Sequence, residues 1–126
     1  RLRGALRQAV ADCTRALSLN PDLLMAYETR GNANKLLADF EMQTGTDPAA
    51  SSRLALADYK SALVRGSQSL AIHLAMGWLY GRLGQVREAV RALQEVLKRG
   101  MLDPTATEQI KRKIRELLDG EGEFRP

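Results

Sequence analysis

Apolar residues along the chain recur at helical spacing. Ala9, Cys13 and Ala16 lie at i, i+4 and i+7, and so do Ala55, Tyr59 and Ala62, and again Ala89, Leu93 and Val96. Each trio falls on one face of a helix. Breakers divide this text into six predicted helices. The first runs over 3–19 and stops at Asn20–Pro21, the second starts near Asp22, the third spans 48–64, the fourth 70–82 and the fifth 86–98. A sixth is predicted over 105–119, opened by Thr105 and Glu108 as a capping box, with Ile110, Ile114, Leu117 and Leu118 on one stripe. The tail from Gly120 is expected to fray. The fold class is therefore all-α.

The chain also matches itself. Ala55, Tyr59, Ala62 and Leu63 precede Ala89, Leu93, Val96 and Leu97 by 34 residues. An earlier copy carries Ala9, Cys13, Ala16 and Leu17, offset from the middle one by 46. Gly31 and Gly77 are also 46 apart, so 12 extra residues lie between Gly31 and Ala55. The physical reading is a stack of antiparallel helix pairs, because one pair alone cannot cover its apolar face. A glycine inside a helix costs about 1 kcal/mol relative to alanine. At Gly31 and Gly77 the expected compensation is a helix crossing too close for a Cβ atom.

The insertion, near 38–53, contains Phe40, Met42 and then Gly45, Asp47 and Pro48. Asp47 suits an N-cap and Pro48 a first turn. Both flanking helices are therefore expected to lengthen, by about six residues each, and to meet at Gly45–Asp47 as a projecting hairpin. The first helix matches the second helix of a repeat and has no preceding partner here. Leu6, Ala9, Val10, Cys13 and Leu17 are then expected to leave an apolar flank that drives dimerisation or is covered by upstream sequence.

This pattern resembles the tetratricopeptide repeat family, whose unit is a 34-residue helix–turn–helix. Tyr27, Arg30, Gly31 and Asn34, and then His73, Met76, Gly77 and Tyr80, fill the first-helix places of the family motif. Ala9, Cys13, Ala16 and Pro21, then Ala55, Tyr59, Ala62 and Ser67, then Ala89, Leu93, Val96 and Met101 fill those of the second helix. Arg30, Asn34, His73 and the missing prolines at 67 and 101 depart from it. The resemblance covers roughly residues 5–101. It implies one domain, an antiparallel helix-hairpin superhelix of about two and a half repeats (3–19, 22–66 and 69–100) closed by a capping helix at 105–119.

The resemblance also implies a protein-interaction scaffold that holds a peptide or helix in a concave groove. The groove-facing places are Met25, Glu28, Thr29, Asn32 and Lys35, then Ala71, Leu74, Ala75, Trp78 and Arg82. Asn32 offers both a donor and an acceptor to a ligand amide. Trp78 is either an aromatic anchor or packing under the last helix. Family members that grip the acidic tail of heat-shock chaperones use a lysine, asparagine and arginine clamp. Its places here hold Thr29, Ala71 and Ala75, so the charge-assisted bonds to a terminal carboxylate are missing and that ligand is not expected.

Composition narrows the function classes. The formal charge of +4, from 19 Lys and Arg against 15 Asp and Glu, attracts polyanions only mildly. Nucleic acid is a lesser alternative, resting on Lys111, Arg112, Lys113 and Arg115 of the last helix. Self-association through the first helix is the other. No run of 18 apolar residues exists to span a membrane. The chain begins with Arg1 and reads as a fragment. One cysteine and one histidine cannot build a metal cluster. Cys13 reads as a buried hydrophobe, in keeping with a reducing compartment such as the cytoplasm. His73, among Ile72, Leu74 and Met76, reads as a packing residue. With no glycine-rich phosphate loop and no convergent catalytic set, neither an enzyme nor a cofactor is expected.

Overall fold

The computed structural model describes residues 1–100 and 102–123. Among them lie six α-helices and no strand: α1 Leu2–Leu19, α2 Leu24–Gln43, α3 Ala49–Val64, α4 Leu70–Arg82, α5 Val86–Arg99 and α6 Pro104–Glu123. They form two compact units, Arg1–Gln68 and Ser69–Pro126. No helix among the described residues is long and apolar enough to cross a membrane.

In the first unit α2 lies between α1 and α3. Leu6 near the start of α1 packs with Ala33 and Leu37 of α2, while Thr14, two turns later, bonds Arg30, so the two helices run antiparallel. Leu6, Cys13 and Leu17 are buried and Ala9 and Val10 half-buried. The expected uncovered flank of α1 is thus largely covered by α2. On the other side, Ala55, Leu56, Tyr59 and Ala62 of α3 are buried. Gly31 shows why no larger residue stands there. A Cβ on it would lie 2.8 Å from Cε1 and 2.9 Å from Cδ1 of the Tyr59 ring.

The second unit repeats the contact. A Cβ on Gly77 of α4 would lie 2.5 Å from Cδ2 and 2.7 Å from Cγ of Leu93 on α5. Tyr59 and Leu93 are the matching positions of the two copies. The same glycine in each first helix therefore meets the same place in its second helix, across turns of different length. Beyond α5, α6 covers the far side: Leu93, Val96 and Ile110 are buried together, with Leu74, Leu97, Leu102, Ile114 and Leu117 packed around them.

The insertion is shared unequally. α2 continues twelve residues past Gly31, whereas α4 ends five past Gly77. α3 begins six residues before Ala55, whereas α5 begins three before Ala89. Most of the extra length thus lies in α2, instead of being divided evenly. The first strong stop sets that limit. Gly45, at φ 78°, supplies the left-handed position after the helix. Its amide bonds Met42 O and the next amide, of Thr46, bonds Glu41 O. Gly84, at φ 76°, ends α4 in the same way, with the Gln85 amide on Tyr80 O. At α3 the expected cap is corrected: Pro48 and not Asp47 is the N-cap, and Asp47 Oδ1 accepts from the Ala49 amide at 3.0 Å in the turn just before the helix.

Two expected starts are corrected. α2 begins at Leu24 and not near Asp22, because Asn20 Oδ1 takes the Asp22 amide and holds the segment as a turn. α6 begins at Pro104, with Asp103 Oδ1 accepting from the Ala106 amide at 2.7 Å. Asp103 and not Thr105 is its cap, and Pro104 fills the first helical position. α6 also continues to Glu123, so the expected fraying from Gly120 does not hold over 120–123. The remainder of that expected tail, 124–126, and the Met101 position lie outside the described residues.

Candidate functional site

In the first unit the candidate residues on α2 divide by partner. Met25, Thr29 and Asn32 are exposed, and Leu36 continues their spacing of four, three and four residues. Met25 is 68% and Leu36 47% exposed, so two apolar side chains flank two polar ones on one solvent-facing stripe. Glu28 and Lys35 are engaged within the unit. Glu28 accepts from the Ser67 hydroxyl, and Lys35 pairs with Asp39 at 3.0 Å. Ser67 stands at the position where the repeat motif would carry proline, and it ties the end of α3 back to α2.

Asn32 is only partly free for a ligand. The Tyr59 hydroxyl donates to its Oδ1 at 2.7 Å. Burial, then the charges of Asp39 and Asp58, raise the Tyr59 pKa, so the phenol stays protonated and keeps donating. Asn32 thus offers its amide N–H groups outward while its carbonyl oxygen is already shared.

Arg30 and Asp58 form a pair that the sequence reading did not single out. Arg30 Nε donates to Asp58 Oδ2 at 2.8 Å and Nη2 to Oδ1 at 2.8 Å, while Nη1 reaches Thr14 Oγ1 at 3.1 Å. One guanidinium thereby links α1, α2 and α3. The bidentate bond to Asp58 is the main cause of the raised Arg30 pKa. Nearby, the Arg65 guanidinium lies 4.4 Å from the Tyr27 ring centroid, and the Tyr27 hydroxyl donates to Pro21 O at 2.9 Å. Cys13 is a buried thiol, its pKa raised first by burial. It therefore has little thiolate character.

In the second unit the candidates on α4 face different ways. Ala71 and Arg82 are exposed, Ala75 is buried, and Leu74 packs against the core around Leu93. Trp78 is half-buried beside α6, with Lys113 Nζ 4.9 Å from its ring centroid. It shares an open cavity of about 320 Å³ with Gln109, Arg112, Lys113 and Glu116. Of its two expected roles the geometry favours packing under the last helix. His73 is half-buried in a shallow cavity with Met76, Tyr80, Glu88 and Glu95. Burial and then the Arg99 charge lower its pKa, against the opposing pull of Glu95.

Among the described residues no group of three His, Cys, Asp or Glu side chains is placed to hold a metal ion. No protein-family model matches the chain.

Proposed function

We propose that this chain is a tetratricopeptide-like interaction module, its hairpins stacked as a superhelix with α6 as the cap, and that it binds a peptide or helix of a protein partner. The repeat reading is supported by the recurrence of one contact, Gly31 on Tyr59 and Gly77 on Leu93, at matching places in both units. The binding reading rests on the exposed stripe of α2. Met25 and Leu36 hold apolar surface in water, and Thr29 and Asn32 between them supply hydrogen-bonding groups to orient a chain laid along it.

Selection of a phage-displayed peptide library on the chain tests this. Recovered peptides are expected to bind about tenfold or more weakly to Met25→Asp and Leu36→Asp, each with unchanged helicity, since a charge placed in an apolar contact is stranded on binding. A library that yields no binder, or binders indifferent to both substitutions, overturns the reading.

A further inference from the structure

A second surface of the first unit carries unmet polar groups. A cavity of about 320 Å³ opens between the first half of α1 and the lengthened ends of α2 and α3. Val10, Leu37, Phe40 and Leu54 give it apolar wall. Asn34, also in the wall, is only 4% exposed, and its side chain makes no hydrogen bond among the described residues. Glu41 Oε1 is buried there without a hydrogen-bond partner among them. At the rim, Arg3 and Arg7 stand one helical turn apart on α1, exposed and without an ion pair among the described residues. The Asn34 carboxamide, reachable from the cavity and not bonded within the fold among the described residues, is therefore placed to pair with a ligand that enters it. Phe40 and Glu41 belong to the insertion, as do Thr44, Thr46 and Ser51 on the same wall. The extra residues thus build a wall that an ordinary 34-residue hairpin would lack.

We propose that this cavity holds an extended peptide segment in which apolar side chains are flanked by acidic residues. The apolar groups enter against Leu37, Phe40 and Leu54. The Asn34 carboxamide, donor and acceptor at once, pairs with a main-chain amide of that segment. The acidic side chains meet the guanidinium groups of Arg3 and Arg7. A phosphodiester backbone fits poorly, since it brings no apolar side chain to Leu37, Phe40 and Leu54 and would be repelled by Glu41. The cavity uses a different side of α2 from the Met25–Leu36 stripe and does not depend on it, so the two assignments fail separately.

The test is a titration of the isotope-labelled full chain, followed by NMR. The probe is a mixture of N-acetylated, C-amidated hexapeptides with Asp or Glu on both sides of two varied apolar positions. The Asn34 side-chain amide and the Leu37 and Leu54 methyls are expected to shift. Arg3→Glu with Arg7→Glu, both exposed, is expected to weaken the apparent affinity about tenfold or more, and added salt to weaken it in the parent chain. Thr44→Trp, at the exposed rim, is expected to block the shifts by filling the mouth. Three outcomes would overturn the proposal: no shift at Asn34, shifts confined to Met25, Thr29, Asn32 and Leu36, or an equal response to the same mixture with Lys in place of the acids. The second of these would leave the stripe standing as the binding face.

Discussion

Replacing Gly77 by alanine separates two effects that act in opposite directions. In an open helix the change stabilises by about 1 kcal/mol, because alanine is the better helix former. At Gly77 the new methyl would lie 2.5 Å from Leu93 Cδ2 and 2.7 Å from Cγ. The Cγ contact matters most, since it is a branch point and not the far end of a flexible chain. Leu93 is fully buried, with Val96 and Ile110 beside it, so it has little room to withdraw. Overpacking of this kind costs about 1–3 kcal/mol, and the absence of slack places it at or above the upper end. After subtracting the propensity gain, a net loss of about 2 kcal/mol is expected. Gly4 in α1 is the control, with nothing within 4 Å of a built Cβ. There the same substitution should be neutral or stabilising, by at most about 1 kcal/mol. Urea unfolding of both variants followed by circular dichroism provides the comparison. Shortening Leu93 to alanine in the Gly77→Ala background should cost less than in the parent, with a coupling of at least about 1 kcal/mol. If Gly77→Ala is as harmless as Gly4→Ala, and no coupling to Leu93 appears, the close crossing is not what requires glycine.

The Arg30–Asp58 pair, partly buried, supplies a second test. Arg30→Met strands the Asp58 carboxylate and should cost about 2–3 kcal/mol in urea unfolding, while adding Asp58→Leu should recover most of the loss; a double variant no better than the single one would show that the pair is not coupled. Removing the α6 cap by Asp103→Ala should cost about 1 kcal/mol of stability. Thr105→Ala and Glu108→Ala, outside the observed cap, should each change it by less than about 0.5 kcal/mol, and the reverse order would restore the capping box. His73 has a folded-state pKa below its ordinary 6.5. As the pH falls through 6.5 the unfolded chain takes up the proton first, so the protein loses stability there, and the loss levels off below the folded pKa. The drop in melting temperature between pH 8 and pH 5 should therefore be smaller in His73→Gln than in the parent, and an equal drop would remove the assigned role.

What could be read from the sequence depended on how far apart the deciding atoms lie along the chain. Gly31 and Gly77 announced their crossings because a close backbone approach excludes every other residue type, and that demand is visible at a single position. Helix ends were nearly as accessible, yet competing local signals misled. Asp103 caps α6 through its carboxylate, but Thr105 and Glu108 offered a plausible alternative two residues on. The even division of the insertion failed for a related reason: a helix continues to its first strong stop, here Gly45, whatever symmetry the length suggests. Side-chain roles were less accessible, since partners on other helices decide them. Asn32 loses much of its acceptor to Tyr59, 27 residues away, and Trp78 meets Lys113 on a helix two elements later.

Arg30 shows where such distant pairing still leaves a local trace. A guanidinium in a packing stripe stands against the repeat pattern, and a charge held there requires an opposite one on the facing helix. Asp58 sits beside Tyr59, the residue whose ring lies against Gly31. Once the glycine identifies the facing segment, the acid next to the ring is the natural partner for the arginine next to the glycine. Asn34 and Glu41 obey the same rule with a different outcome. Asn34 stands at a packing position and half-buried Glu41 in the insertion, and among the described residues no side chain bonds the Asn34 carboxamide or Glu41 Oε1. A buried polar residue that departs from a repeat pattern therefore points either to a partner within the fold, as Arg30 does, or to one that arrives from outside, as we propose for Asn34.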